Sequence, residues 1–348
     1  MSRSVPAGAA RAELPRFPLL HGPTPLHELP GVRAALGGPE RCPRILVKRD
    51  DLAGPALGGN KARKLEYVVA DALARGATHL VTVGAVQSNH ARMTAAAARL
   101  AGLGCVLVLT SESGSPTPEG NLLLDRLLGA EVVIVPPGPP GAADNPHEAA
   151  AVAEAMERLA ARGDRPYHIP VGASMPLGVL GYVDAVAELE RQLAAGGIAP
   201  ARLYFAAGSR GTQAGIVLGA RLHGAGWTPH GVAVSPGDPE KTGRAVALAA
   251  AAAELLGSDA RIGPEDVVTH QEMIGPGYAI PTPESRAAIR LLAGADALLL
   301  DPVYTAKAMA GLLGDIRGGA IDPGETVVFL HTGGVPALFT AAAALDLT

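Results

Sequence analysis

The sequence predicts an α/β fold with mostly parallel sheets, on three observations. From residue 45 onward, strand-like and helix-like segments alternate, the pattern of βαβ units. The strand-like runs are continuously apolar rather than alternating, as in sheets covered on both faces. The chain has 348 residues, enough for a large core and two domains.

In order, Ile45–Lys48 reads as a short apolar strand. Lys61–Arg75 reads as a helix, with apolar residues at Leu65, Val68, Val69 and Leu73. His79–Gly84 is a strand, Ala91–Gly102 a helix, Cys105–Thr110 a strand, Gly120–Leu128 a helix and Glu131–Val135 a strand. A Pro/Gly-rich loop, Pro136–Gly141, precedes helices near 147–162 and 177–195. Leu203–Ala207 and His230–Val234 are strands followed by helices Thr212–Gly224 and Lys241–Leu256. The end repeats the pattern: helix 284–293, strand 297–300, helix 304–314, strand 326–330 and helix 335–345. Residues 1–17, rich in Ala, Pro and Arg, read as a loose tail.

Composition excludes several classes. Hydrophobic residues make up 48% and charged residues 18%, as in a globular protein. A net charge of −4 and an aromatic content of 3% offer neither a basic field nor a stacking surface for nucleic acid. The N-terminus lacks an apolar signal segment, and the Ala-rich stretch at 245–256 is too short to span a bilayer. Cys42 and Cys105 form no CxxC pair, so neither a disulfide framework nor a metal ribbon is expected. A soluble cytoplasmic protein without a metal is the expectation.

The chemistry starts at Gly58-Gly59-Asn60-Lys61-Ala62-Arg63-Lys64. Asn60 reads as an N-cap, placing Lys61 in the first turn of a helix beside two further cations. All of these disfavour an ammonium and would make Lys61 a better amine nucleophile. The plain alternative is a surface helix with a basic first turn.

Three loops at strand ends complete the picture, since ligands collect at the carboxyl ends of strands in open α/β sheets. In Gly84-Ala85-Val86-Gln87-Ser88-Asn89-His90, Ser88 and Asn89 can cap the next helix, whose free amides can hold a carboxylate. Gly208-Ser209-Arg210-Gly211-Thr212-Gln213-Ala214-Gly215 reads as a phosphate cradle at a helix N-terminus. It lacks both the Walker ending and the GxGxxG spacing, so a monophosphate fits better than a dinucleotide. Phe329-Leu330-His331-Thr332-Gly333-Gly334 is a tight strand-to-helix turn. A Schiff-base lysine plus a monophosphate cradle points to pyridoxal phosphate.

The segments KRDDLAGPALGGNKARKLEY at 48–67, GAVQSNHARMTAAAA at 84–98, GSRGTQAG at 208–215, GPGYAIP at 275–281, DPVYTAKAMAGL at 301–312 and FLHTGG at 329–334 resemble the D-cysteine desulfhydrase and 1-aminocyclopropane-1-carboxylate (ACC) deaminase family. The matches run in family order from 48 to 334. The resemblance implies a tryptophan-synthase β-like fold: two open, twisted, mostly parallel sheets flanked by helices. A large cofactor-binding domain (1–63 and 173–348) would carry an inserted small one (64–172). It also implies a homodimer.

By resemblance, Lys61 would attach to the cofactor's aldehyde and move the Cα proton. Asn89 would bond the cofactor's ring oxygen. Gly208, Ser209, Gly211 and Thr212 would bind its phosphate, and Thr305 would lie near the ring nitrogen. Ser88, Asn89, His90 and Thr332 would hold the substrate, with Ser88 close to the reacting carbon. Tyr278 and Tyr304 would face the substrate; each is otherwise a buried aromatic with a satisfied hydroxyl. Arg210 departs from the small residue usual in that loop, pointing either to solvent or toward an anion.

Within the family, the deaminases resemble DPVYEGK, HLGG and QSNQ; this chain has Thr305, Thr332 and His90 there. A neutral Thr305 in place of a carboxylate gives a weaker electron sink, sufficient for expelling a good leaving group from Cβ. The expected reaction is β-elimination, D-cysteine giving pyruvate, ammonia and hydrogen sulfide. L-cysteate with release of sulfite is the alternative, and ACC opening comes third. A metabolite-binding protein without catalysis is the reading from another class.

Overall fold

The computed structural model describes residues 14–139 and 145–345. The expected tail therefore lies outside the described residues up to 13, and the Pro/Gly loop from 140. Two sheets organise the chain. The larger is built from β1 (Leu26–Glu28), β2 (Arg44–Lys48), β7 (Arg202–Ala207), β8 (Thr228–Ala233), β9 (Thr269–His270) and β10 (Thr326–Leu330), in the order β1-β2-β10-β7-β8-β9. Only β1, paired with β2, runs antiparallel. The smaller, all-parallel sheet contains β3 (His79–Ala85), β4 (Gly104–Thr110), β5 (Glu131–Val135) and β6 (Pro166–Ile169), in the order β5-β4-β3-β6.

The helices are α1 (Pro30–Ala35), α2 (Lys61–Ala74), α3 (Asn89–Leu100), α4 (Gly120–Leu127), α5 (Pro146–Ala161), α6 (Pro176–Gly196), α7 (Gly211–His223), α8 (Glu240–Leu255), α9 (Pro283–Asp296) and α10 (Thr305–Arg317). Their ends follow local chemistry. Asn145 caps α5 and Thr282 caps α9, each followed by a Pro in the first turn. Gly197 and Gly224 close α6 and α7 in the left-handed conformation.

Helix α2 places the lysine. Its Leu65, Val68 and Val69 are fully buried with Leu80 and Leu107 of the smaller sheet. Burying each such side chain stabilises by roughly 1.5–3 kcal/mol. Its other face is ionic. Arg63, 2% exposed, donates to Asp50 (2.8 Å) and Glu188 (2.9 Å). Lys48 also pairs with Glu188, and the Tyr182 hydroxyl donates to Asp50 Oδ2 at 2.7 Å. This network ties α2 to the end of β2 and to α6.

The structure departs from the sequence expectations in four places. Residues 297–300 form no strand, because their partner is a side chain: Leu299 O accepts from His331 Nε2 at 2.9 Å. Residues 335–345 are two short 3₁₀ turns rather than an α-helix, the first with Pro336 near its start. The short strands β1, β6 and β9 and helix α1 had no expectation attached. Residues 14–17, expected as loose tail, dock on α2: Phe17 N donates to Glu66 O at 2.8 Å.

Candidate active site

The three loops at strand ends converge. The turns after β3, β7 and β10, with the start of α2, line one cleft of about 180 Å³. Lys61, Ser88, Asn89, His90, Gly208, Ser209, Thr212, Tyr278, Tyr304 and Thr332 all line it. Gly211 and Thr305 do not.

Lys61 opens α2 after a backbone bend in which Ala56, Leu57, Gly58 and Gly59 all have positive φ. At Gly58 a Cβ would sit 2.0 Å from Asp51 O, so only glycine fits. Arg92, fully buried, holds the bend by donating to Ala56 O and to Gly58 O (2.9 Å). Burial lowers the Lys61 ammonium to about 8. The neighbouring Arg63, expected to contribute, does not, because Asp50 and Glu188 neutralise it. Asn60 is not a side-chain cap either. It is already helical, and its Nδ2 donates to Thr212 Oγ1 at 3.1 Å, joining the lysine helix to the phosphate loop.

At the β3 turn, Ser88 caps α3, accepting from Ala91 N at 3.1 Å. Asn89 Oδ1 accepts from Asn121 Nδ2 at 3.0 Å. His90 Nε2 meets Thr82 Oγ1 at 2.8 Å, and that hydroxyl in turn donates to Ile169 O. The chain of bonds puts the imidazole proton on Nε2, and Nδ1 is buried without a partner. Burial, then Lys61 and Lys64, push the imidazole well below its ordinary range, so His90 is neutral.

At the β7 turn, the amides of α7 point into the cradle. Ser209 Oγ accepts from Ser174 Oγ at 2.8 Å. Gly211 contributes as backbone: a Cβ there would meet Lys64 Nζ at 2.6 Å and Ser174 Oγ at 2.7 Å. Lys64 is fully buried beneath this loop and donates to Gly172 O at 2.9 Å. Among the described residues no carboxylate pairs with it, and burial holds it well below the ordinary lysine range. Arg210 does not point to solvent: it lies at the cleft wall with its guanidinium engaged by protein partners. It adopts φ 69, is 1% exposed, and pairs with Asp238 while donating to Gln213 and Thr269.

Thr305, expected beside a ring nitrogen, lies off the cleft wall. Its Oγ1 accepts from Asp301 N (2.8 Å) and donates to Asp301 Oδ1 (2.7 Å). The physical reason is the first turn of α10, whose free amides at Val303, Tyr304 and Thr305 all donate to that buried carboxylate. Beside it, the Tyr278 and Tyr304 hydroxyls touch; Tyr278 is 43% exposed, and desolvation at the paired hydroxyls raises both phenols.

The donor set fits pyridoxal phosphate. A lysine held near neutrality, an amide donor at Asn89 and a buried lysine under a glycine cradle are what an aldehyde, a phenolic oxygen and a phosphate require. A family model described as pyridoxal-phosphate dependent enzyme matches residues 18–333. The chain belongs to the pyridoxal-phosphate-dependent enzyme family. It is 41% identical to a D-cysteine desulfhydrase of Klebsiella pneumoniae over 329 residues, 93% of this chain and 95% of the relative. It is 40% identical to a putative ACC deaminase of Pyrococcus abyssi over 333 residues, 95% of each. The solved structure of an ACC deaminase homologue superposes with a TM-score of 0.85 at 37% identity, covering 97% of both chains. A threonine deaminase structure at 22% identity and TM-score 0.60 shares the fold.

Sequence reasoning missed Asn121 and Asp301 altogether and took Asn60 for a cap. Lys64 carried a legible signal: it lies three residues after Lys61, on the same helix face.

Proposed function

We propose that this enzyme is a carbon–sulfur lyase that converts D-cysteine to pyruvate, ammonia and hydrogen sulfide. The observation that carries the reading is the lining of the cleft: it includes Lys61 but no Asp or Glu, and the Arg210 beside it is neutralised by Asp238. No carboxylate lines the cleft to repel an anionic amino acid or to protonate a ring nitrogen. That suits departure of a good leaving group from Cβ better than opening of a cyclopropane. The similarity to D-cysteine desulfhydrases supports the same choice.

Bound pyridoxal phosphate supplies an aldehyde for an amine and a conjugated ring that delocalises negative charge at the substrate Cα. The protein does the rest. The α7 amides, Ser209, Thr212 and Lys64 hold the phosphate end, and Asn89 the ring oxygen. Ser88, the first-turn amides of α3 and Thr332 orient the substrate carboxylate. The Lys61 amine removes the Cα proton, and the C–S bond breaks as the electron pair leaves with sulfur. The raised phenols of Tyr278 and Tyr304 stay protonated, and since one hydroxyl donates to the other, a single phenol proton is left to donate to the departing hydrosulfide. With one water the sum is D-cysteine to pyruvate, ammonia and hydrogen sulfide.

The four strands of the smaller sheet support an inserted domain at 64–172 within a large one formed by 1–63 and 173–348. No helix among the described residues is long and apolar enough to cross a membrane. A cytoplasmic homodimer is part of the proposal; exposed Leu57 (61%) and Phe339 (74%) are apolar surface of the kind a second copy covers. Light scattering tests the dimer.

The deciding assay mixes cofactor-loaded enzyme with D-cysteine and follows pyruvate and sulfide together. Equal release is expected. Release of neither, from enzyme with an intact cofactor spectrum, removes D-cysteine. ACC assayed for 2-oxobutyrate then becomes the second reading, favoured by the likeness to the Pyrococcus abyssi protein and the ACC deaminase homologue. Nothing in the structure favours L-cysteate, since Arg210 is committed to Asp238.

A further inference from the structure

We propose that His230, His270 and Asp315 form a binding site for one divalent transition-metal ion of the zinc type, separate from the cofactor cleft. Each residue offers a ligand atom, and these atoms lie within 4.8 Å of one another. None of the three lines the cleft. They come from β8, β9 and α10, three elements that are fixed relative to one another by the sheet and its packing.

The imidazoles already converge. His230 Nδ1 and His270 Nε2 are 2.8 Å apart, and the other ring nitrogen of His270, Nδ1, lies 3.8 Å from Asp315 Oδ2, so a shared ion takes one of the two His270 nitrogens. Zinc bonds of about 2.0–2.2 Å set ligand atoms roughly 3.3 Å apart in a tetrahedron. The three ligand atoms, one from each residue and within 4.8 Å of one another, draw to that spacing by side-chain rotation.

The surroundings orient the ligands as outer partners of metal sites do. Thr228 Oγ1 turns its proton toward Ala201 O and accepts from His230 Nε2 at 2.9 Å. That leaves a lone pair on His230 Nδ1, facing His270. Tyr204 OH donates to Asp315 Oδ2 at 2.5 Å, fixing the carboxylate, and its ring stacks on His230 at 4.9 Å. The nearby Arg202 is engaged by Ala320 O and Glu325. Two imidazoles and one carboxylate suit zinc, cobalt or nickel rather than calcium or magnesium.

The site has a mechanical consequence. β9 leads directly into the segment carrying Tyr278, and Asp315 lies on α10, which Tyr304 begins. A metal there cross-links the two elements that bring the tyrosine pair together.

The test is zinc chloride titrated calorimetrically into holoenzyme, beside His270→Gln and Asp315→Asn holoenzyme. One equivalent should bind the wild type, with affinity falling at least tenfold in both variants while the cofactor's visible spectrum is unchanged. No binding by the wild type, or equal binding by wild type and variants, overturns the site. If a variant does not fold, the wild type still answers. Zinc should slow diethyl pyrocarbonate modification of His230 and His270, mapped by mass spectrometry, and unchanged modification overturns the proposal.

Discussion

Asn121 Nδ2 donates to Asn89 Oδ1 across 3.0 Å, joining α4 to the first residue of α3. With its oxygen occupied, Asn89 has only its NH₂ to offer the cleft, so it acts there as a donor. Asn121 is itself held: its Oδ1 accepts from Arg92 and its Nδ2 also reaches Gln87 O. The same Arg92 grips the bend before Lys61. One buried chain of bonds thus sets both the ring-oxygen donor and the lysine.

It follows that Asn121→Asp should impair the cofactor site without touching it. A carboxylate at 121 attracts the Asn89 NH₂ and turns its oxygen into the cleft, toward another oxygen. Losing one such donor and gaining a repulsion costs about 1–3 kcal/mol. Cofactor affinity, read by equilibrium dialysis, should fall roughly 10- to 100-fold, with a shifted visible band. An unaltered band would show that Asn89 does not use its amide donor.

Lys61 should be the most reactive lysine of the cofactor-stripped enzyme. With its ammonium lowered to about 8 by burial, the free amine should rise from about a tenth at pH 7 to about nine tenths at pH 9 and then level off. Acylation of Lys61, followed by peptide mass spectrometry, should trace that curve. An ordinary lysine would still be climbing steeply at pH 9. Lys61→Ala should remove both the visible absorbance and all turnover; retained turnover would sink the proposed mechanism.

Gly211→Ala should loosen the phosphate end selectively. The new methyl would lie 2.6 Å from Lys64 Nζ and 3.0 Å from the Ser174 Cα, so either the loop or the buried lysine must move. We expect cofactor affinity to fall at least tenfold and inorganic phosphate to compete less well. Lys64→Met should do the same by removing the buried amine beneath the loop. Normal affinity in both variants would assign the phosphate elsewhere.

What the sequence disclosed and what it hid have a common cause. Lys61, Ser88 and the 208–212 loop were legible because their chemistry is local: a glycine turn, a cap, a helix start. The long strands were legible because each apolar run is contiguous. Asn121 and the true partner of Asn60 were not, because their bonds span 32 and 152 positions with no pattern of spacing. Arg210 was ambiguous for the same reason: Asp238 lies 28 residues away. Asp301, by contrast, is local, accepting from the amides of residues 303–305, and its capping signal was readable but unread. The false strand at 297–300 is apolar like a real one; what it lacks is a backbone neighbour, and that is a property of the fold. Thr305 was placed by its neighbours in the motif, whereas its hydroxyl bonds the amide and the carboxylate of Asp301.

Asp125 should make the protein less stable as the pH rises toward neutral. It sits one turn beyond Asn121 on α4, buried, and neither carboxylate oxygen has a hydrogen-bond partner. Desolvation raises its carboxyl to about 7, against a smaller opposing pull from Arg92. Between about 4 and 7 the folded state therefore keeps a proton that the unfolded state has released. Stability must fall with pH across that window, since the folded state binds more protons. Asn at this position cannot ionise, so Asp125→Asn should match the wild type near pH 4–5 and exceed it by about 1–3 kcal/mol at pH 8. Urea unfolding of both proteins at the two pH values measures the difference. A wild-type advantage at pH 8 would mean that Arg92 holds the carboxylate charged, and that the pair is an ion pair in all but hydrogen bonding.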